Sequence, residues 1–455
     1  MRGISIKRLN DTVQALYETG LHAYALSRGG ELISRGSIKP YRGDRHILFS
    51  LTKSFTSAAI GFLMREGKID ARDKVVSFFP EAFDGRPCQN MEKMCVKDLL
   101  MMATGHVKEP DIFPADATAL ESFLTSYVPK TPGGHFMYNT AGSCILAYIA
   151  EKVSGQRLDA YLKPRLFEPL GIQDYRWQKL KDGVCTGGFG LSADTDALLK
   201  FGRLLLQKGV WEGQRLLDES WVLDATSAQI IQQDGQGDWG AGYGYQFWRN
   251  TRMNSYRGDG AFGQYMIVLP EQDVVWASHS GTNDMAKQLD ILFDMLFAYI
   301  DKDADERGEV TLPAYPPLSG GMSSGIAARV SGVSYRFENA SEWFPIESMR
   351  FVFKENTALT LTYDGVPLTY AIGRGEHLCT VIDEERVKRD AERMCYVQAS
   401  GAWESEDLFH ARLMHVNTPF VTDIRAYFKN DAVKAEVTFN VGFGPTAFTL
   451  NGIRE

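Results

Sequence analysis

Ser50 and Lys53 open an apolar, helix-like run from Phe49 to Gly67. On a helix, positions i and i+3 share a face about one turn apart. The spacing therefore aims a hydroxyl and an amine into one space. A serine alone is a poor nucleophile and needs a base. Lys53 supplies one if burial disfavours its ammonium form, and its neighbours Phe49, Leu51 and Phe55 are apolar. By itself Ser50-Leu51-Thr52-Lys53 is a common pattern in a chain of 455 residues. A solvated lysine at the start of a surface helix fits the spacing equally well.

Tyr138 is the second candidate. It lies in a turn-rich stretch, Thr131 to Thr140, that runs into an apolar helix-like segment, Ala141 to Val153. An ammonium nearby favours the phenolate, since opposite charge stabilises the anion. Tyr138 would then act as a base and later return the proton to a leaving group. A packed tyrosine at a helix entrance is the plainer alternative. The third element is Tyr256 to Tyr265, containing Gly258-Asp259-Gly260. Glycine inside a strand marks close approach of a ligand or another backbone, and backbone N–H groups there can face a developing oxyanion. A glycine-kinked edge strand gives the same pattern.

Positioning these residues requires a frame. Arg8 to Gly20 has helical apolar spacing (Leu9, Val13, Leu16, Tyr17) and a glycine stop. Strand-like runs at His22–Ser27 and Glu31–Arg35 flank Gly29-Gly30, a hairpin signal. Asp73 to about Asp194 is mostly helical. Helices are expected at Asp196–Lys208 and Asp218–Thr226, strands at Tyr243–Trp248, Ser255–Leu269 and Val274–His279, and a closing helix at Asp284–Ile300. This order predicts an α+β domain: an antiparallel sheet flanked by helices from both ends, with a helical lobe. A pocket between sheet and lobe is the natural place for a site. Leu312 to Gly321 reads as a Pro/Gly/Ser-rich linker. Beyond it come short, alternating runs rich in β-branched and aromatic residues, among them Met349–Lys354, Ala358–Tyr363, Phe409–Val416 and Val433–Phe439. They predict a separate antiparallel β-barrel or sandwich. The expected division is 1–310, a linker over 311–325, and an all-β domain over 326–455.

Composition narrows the function. Apolar residues at 44% and charged residues at 23% are an ordinary globular balance. A net charge of −8 gives no basic footprint for nucleic acid. Met1 to Arg8 lacks the apolar core of a signal peptide, and no uninterrupted apolar stretch is long enough to span a bilayer. Cys88, Cys95, Cys144, Cys185, Cys379 and Cys395 have no zinc-site spacing. The expectation is a cytoplasmic protein with reduced thiols.

Roughly residues 10–300 resemble the serine β-lactamase and penicillin-recognising group, specifically its class C-like serine hydrolases. The likeness is carried in order by Leu48 to Phe55 with Glu66-Gly67-Lys68-Ile69, by Asp98 to Gly105, and by Pro132-Gly133 through Tyr138 to Gly155. Gly187-Gly188-Phe189-Gly190 and Gly242 to Trp248 add to it. The resemblance implies Ser50 as acylated nucleophile, Lys53 as its amine partner and Tyr138 as proton shuttle. It implies an oxyanion hole from the backbone N–H groups of Ser50 and Ala261. Thr140, Asp259, Gly260, Trp248 and His279 are the expected substrate-binding residues. No metal or organic cofactor is implied, and the partner is a small ester or amide.

Two departures bear on the substrate. The family's tyrosine motif commonly ends in Asn, whereas here Tyr138-Asn139-Thr140 ends in a hydroxyl. Its later Lys-Thr-Gly or His-x-Gly motif is matched by Gly258-Asp259-Gly260, which lacks the cation. His279-Ser280-Gly281 is a rival match for that motif. Asp259 repels a carboxylate unless Arg257 neutralises it. This weighs against β-lactam or D-amino-acid peptide substrates and favours neutral or cationic ones. A non-catalytic ligand-binding module on the same fold is the other reading.

Overall fold

The computed structural model describes residues 4–82, 87–233, 235–300, 302, 309–338, 341, 343–382 and 396–455. Met1 to Gly3 and Cys395 thus lie outside the described residues. Helix α1 (Ile6–Glu18) is capped by Ser5, whose hydroxyl accepts a hydrogen bond from the Arg8 backbone N–H. Strands β1 (Leu21–Arg28) and β2 (Glu31–Ser37) form the expected hairpin. Gly29 and Gly30 supply its turn with φ of 59° and 80°, a conformation that favours glycine. Helix α2 (Thr52–Arg65) is buried from Thr52 through Leu63, as a helix at the centre of a domain must be. Helices α3 (Thr140–Ser154) and α4 (Thr195–Leu206) follow. Then come β3 (Trp248–Arg249), β4 (Tyr256–Gly260), β5 (Gln264–Leu269), β6 (Val274–Ser280) and α5 (Met285–Ile291).

The sheet runs β2-β1-β6-β5-β4-β3 and is antiparallel throughout. Side chains on a strand alternate between faces, and β5 and β6 divide two cores that way. Tyr265, Ile267, Leu269 and Trp276 pack with Leu9, Val13 and Leu16 of α1. Met266, Val268, Val275 and Ala277 pack with α2, α3 and α4. This is the expected α+β frame with a helical lobe.

Three expectations need correction. Tyr243–Trp248 is not a strand; only Trp248–Arg249 is. Gly244 runs so close to Ala225 that a Cβ would sit 2.0 Å from its carbonyl oxygen, and Gln246 adopts a left-handed φ of 68°. Tertiary contacts override the strand-like pattern there. Ser255–Leu269 is broken at Ala261–Gly263, where Phe262 and Gly263 have φ of 66° and 89°, giving the β4–β5 hairpin. A small sheet of His46–Ile47, Leu191–Ala193 and Arg176–Trp177 was not foreseen, because its strands are only two or three residues long.

The C-terminal part contains β7 (Ser334–Phe337), β8 (Ile346–Val352), β9 (Thr357–Tyr363), β10 (Val366–Ile372) and β11 (Leu378–Val381). It continues with β12 (Tyr396–Trp403), β13 (Leu408–His415), β14 (Val421–Lys429), β15 (Ala432–Phe439) and β16 (Ala447–Arg454). The order is β10-β9-β8-β7-β16-β15-β14-β13-β12-β11. The two ends approach each other: the Ala371 N–H donates to Thr380 Oγ1 at 2.9 Å, and the Gly401 N–H to the Gly373 carbonyl at 2.8 Å. The sheet is therefore a nearly closed barrel, with Phe351, Leu359, Phe409, Ile424 and Val437 inside.

The stretch read as a linker is pinned along its length. The Tyr315 hydroxyl donates to the Leu21 carbonyl at 2.8 Å, and the Leu318 N–H to Ser400 Oγ at 3.0 Å. The barrel also reaches back to the first domain. Asn417 accepts from the Ile47 N–H through its backbone carbonyl, at 2.9 Å, and donates from its side chain to the Arg45 carbonyl, at 2.7 Å.

Candidate active site

The chain turns sharply before α2. Phe49–Leu51 forms one 3₁₀ turn, and Phe49 holds a left-handed φ of 47°. An aromatic residue there costs about 1–3 kcal/mol and persists only where surroundings over-determine it. The surroundings are rings: Phe262, Phe443 and Phe420 lie edge-on to Phe49 at centroid distances of 5.5, 5.7 and 6.3 Å. Strand β4 approaches the same turn closely. A Cβ on Gly260 would lie 2.0 Å from the Leu48 carbonyl oxygen, and one on Gly258 would lie 2.8 Å from Ser54 Oγ. The two glycines thus allow the β4–β5 hairpin, with Ala261 next in the chain, to lie against the turn that carries Ser50.

Lys53 joins the pieces. Its Nζ donates to Ser50 Oγ at 3.0 Å, to the Gly188 carbonyl at 2.7 Å and to Thr140 Oγ1 at 3.3 Å. Burial pulls its pKa down to about 8, opposed by the fields of Cys144, Glu109 and Asp259. The anticipated buried amine beside a serine is present. Thr140 takes the place of the missing amide in contact with the lysine. Its neighbour Asn139 caps α3 by accepting from the Gly142 N–H at 3.0 Å, and donates to Thr104 Oγ1 at 3.1 Å.

Tyr138 is brought to the same point. The Lys53 ammonium lies 4.9 Å from its ring centroid, and its hydroxyl lies close enough to Ser50 for the serine side chain to favour the phenolate. Its ring stacks on Trp248 at 5.7 Å and 11°, and meets Tyr243 edge-on. One expectation is corrected here. The phenol is not acidified by Lys53: burial, then the charge of Asp259, push its pKa up. Desolvation of the phenolate outweighs the attraction of the nearby amine.

Asp259 is buried and does not stand alone. The Arg257 Nε donates to its Oδ2 at 2.9 Å, and Trp239 beside it favours the carboxylate. Burial raises the Asp259 pKa, with the Arg257 pair opposing. Arg257 is fully buried and is further held by Asn250 Oδ1 and the carbonyls of Asp238 and Arg249. Trp248 is likewise buried, behind Tyr138. His279 is reached through Gln264, whose Nε2 donates to the Ala261 carbonyl at 3.1 Å. It is 1% exposed, stacks on His46 at 4.7 Å and bonds Gln264 Oε1 at 3.2 Å. No hydrogen bond among the described residues links it to Ser50, Lys53 or Tyr138.

Sequence reasoning missed Gln246, Glu109 and the Tyr243 ring that meets Tyr138 edge-on. Gln246 binds three helical elements: its carbonyl accepts from Ser54 at 2.9 Å, its Oε1 from Ser143 at 2.6 Å, and its Nε2 donates to Leu100 at 2.7 Å. Glu109 accepts from the Ala141 N–H at the start of α3, at 2.9 Å. No spacing rule announces either one. Among the described residues no group of three or more His, Cys, Asp or Glu side chains is placed to hold a metal ion.

The family model described as Beta-lactamase matches residues 9–293. The 6-aminohexanoate-dimer hydrolase of Paenarthrobacter ureafaciens is 28% identical over 310 residues, covering 59% of this chain and 74% of that protein. The octameric penicillin-binding protein homologue of Pyrococcus abyssi superposes with a TM-score of 0.53 at 15% identity, covering 98% of this chain and 99% of that one. That likeness shows the shared fold, the C-terminal part included. A penicillin-binding protein homologue of Caulobacter crescentus aligns with 64% of this chain and 97% of its own, at TM-score 0.53 and 15% identity. The matched segment contains the Ser50 turn, the Tyr138 loop and β4, and the chain belongs to the Beta-lactamase family of serine hydrolases.

Proposed function

We propose that the chain hydrolyses a small ester or amide through an acyl-enzyme on Ser50. The observation that carries this is the Lys53 amine, 3.0 Å from Ser50 Oγ and lowered to about 8. Gly188 and Thr140 accept two of its N–H bonds. In the neutral amine this leaves the lone pair for Ser50. Ser50 Oγ attacks the carbonyl carbon as its proton passes to Lys53. The N–H groups of Ser50 and Ala261 receive the oxyanion. Tyr138, protonated because of its burial, gives its proton to the leaving alkoxide or amine and is reprotonated from Lys53. A water then repeats the sequence on the acyl-Ser50 ester.

The Arg257–Asp259 pair supports a neutral substrate, since the charge of the guanidinium is already matched by the Asp259 carboxylate. That weighs against β-lactams and D-amino-acid peptides. The Lys53–Ser50 hydrogen bond, with the Tyr138 ring beside Lys53, weighs against a binding-only module. The 28% identical relative, named as a 6-aminohexanoate-dimer hydrolase, supports keeping amides beside esters. A cytoplasmic setting is supported by the five described cysteines, which form no disulfide. No helix among the described residues is long and apolar enough to cross a membrane. The test is turnover of a short-chain p-nitrophenyl ester by the protein and by Ser50→Ala. Loss of turnover in the variant, with an acyl mass adduct on Ser50 in the parent, supports the reading. Equal turnover in both overturns it.

A further inference from the structure

The C-terminal barrel meets the turn before Ser50 at Phe49. A cavity of about 480 Å³ lies there, within the range of small-ligand sites. Its deep wall is barrel core: Phe344, Tyr363, Tyr370 and Phe439. Its near wall is Phe49, the residue before Ser50. None of the described residues lining it is an Asp, Glu, Lys or Arg. A charged group entering such a wall would lose its hydration without compensation, so the cavity selects neutral apolar groups.

Three further observations tie this cavity to the active site. Phe49 and Phe262 flank the two residues proposed for the oxyanion hole, and both hold left-handed backbone angles. Barrel residues Phe420 and Phe443 pack on both rings, Phe443 at 4.7 Å from Phe262. The loop bearing Phe443 is fixed to the first domain, because Asn440 Nδ2 donates to the Gly281 carbonyl at 3.2 Å. At the rim, Phe443 is 72% and Trp343 58% exposed, the large aromatic exposure that marks a binding surface. Inside, buried His415 lines the cavity, and its Nδ1 has no hydrogen-bond partner. It offers a polar anchor, beside the hydroxyls of Thr418 and Thr422, in a mostly apolar wall.

We infer that this cavity is the substrate's apolar subsite: it receives an uncharged alkyl or aryl group of the molecule cleaved at Ser50. The barrel is then a specificity element, not a passive appendage. This inference rests on the proposed hydrolase reading, but its binding half is testable without catalysis. The neutral fluorophore N-phenyl-1-naphthylamine is titrated into Ser50→Ala and into Ser50→Ala carrying Leu368→Trp, which fills the cavity. Saturable binding that weakens about tenfold or more on filling is expected, the scale of losing a few methylene contacts. In parallel, the kcat/KM ratio of p-nitrophenyl octanoate to acetate is measured with Ser50 intact. It is expected to fall about tenfold or more in Leu368→Trp. Phe443→Ser, on the exposed rim, should lower the ratio in the same direction and covers the case in which Leu368→Trp does not fold. Fluorophore binding unaffected by filling, or a ratio unchanged in folded variants, overturns the subsite. Turnover retained in Ser50→Ala would instead overturn the hydrolase reading while leaving the binding result standing.

Discussion

Arg257 and Asp259 form a buried ion pair on one face of β4, Nε to Oδ2 at 2.9 Å, on the strand that lies against the Ser50 turn. Residues i and i+2 on a strand point the same way, so the chain supplies its own counter-ion two residues from the carboxylate. Removing one partner of a buried pair leaves the other charged and unsolvated. Arg257→Met is expected to lower unfolding free energy by about 3–5 kcal/mol, read from urea denaturation. Asp259→Asn frees the guanidinium and should raise turnover of a carboxylated ester relative to its neutral analogue. A ratio no different from the parent's would remove Asp259 from substrate selection.

The pH profile follows from Lys53. Its pKa is lowered to about 8, and the neutral amine is the form that accepts the Ser50 proton. Below pH 8 the ammonium predominates, so kcat/KM should climb with pH through about 8 and then level. Glu109 is exposed, and its charge holds the Lys53 pKa up. Glu109→Gln should therefore move the rising limb to lower pH. A limb that stays in place, or moves upward, would show that another group controls it. Ester hydrolysis with Ser50→Ala as the background control makes the measurement.

Tyr138 can lose its hydroxyl without losing its packing. In Tyr138→Phe the ring still stacks on Trp248 and meets Tyr243. Only the hydroxyl near Ser50 goes. The expected result is a fall in kcat of about 10²–10⁴-fold, the usual contribution of a positioned acid–base group. The thermal midpoint should barely change. A large drop in stability with only a mild rate effect would assign Tyr138 to packing.

Sequence resolved this site where the chemistry is local. Ser50 and Lys53 meet because three residues on a helix make one turn, and the hairpin at Gly29-Gly30 is set by its glycines. It resolved less where a side chain serves distant backbone. Gln246 looked like part of a strand, yet its amide is spent on Leu99, Leu100 and Ser143. His279 read as either a pocket residue or a plain strand end, and its ring is stacked on His46. The alternating patterns of β8, β9, β13 and β15 announced an antiparallel β domain, but not the approach of its two ends that makes it a barrel. Nor do they show that the barrel meets Phe49, because that depends on contacts made by Asn417 and Asn440 far along the chain.

The glycines of β4 give the sharpest packing test. At Gly260 an added Cβ meets the Leu48 carbonyl oxygen at 2.0 Å, and both partners are backbone with nowhere to turn. At Gly258 the nearest atom is Ser54 Oγ at 2.8 Å, the end of a rotatable side chain, although that hydroxyl is bonded to the Gln246 carbonyl. Overpacking a well-filled site costs about 1–3 kcal/mol. Gly260→Ala should sit at the top of that range or beyond, and Gly258→Ala below it. The functional loss should follow the same order, because relieving the Gly260 clash means pushing the Ser50 turn away from Ala261. Acylation, read as burst amplitude with a p-nitrophenyl ester, should suffer more in Gly260→Ala than its stability alone explains. Equal burst amplitudes in the two folded variants would mean that the Gly260–Leu48 contact serves folding and does not set the geometry around Ser50.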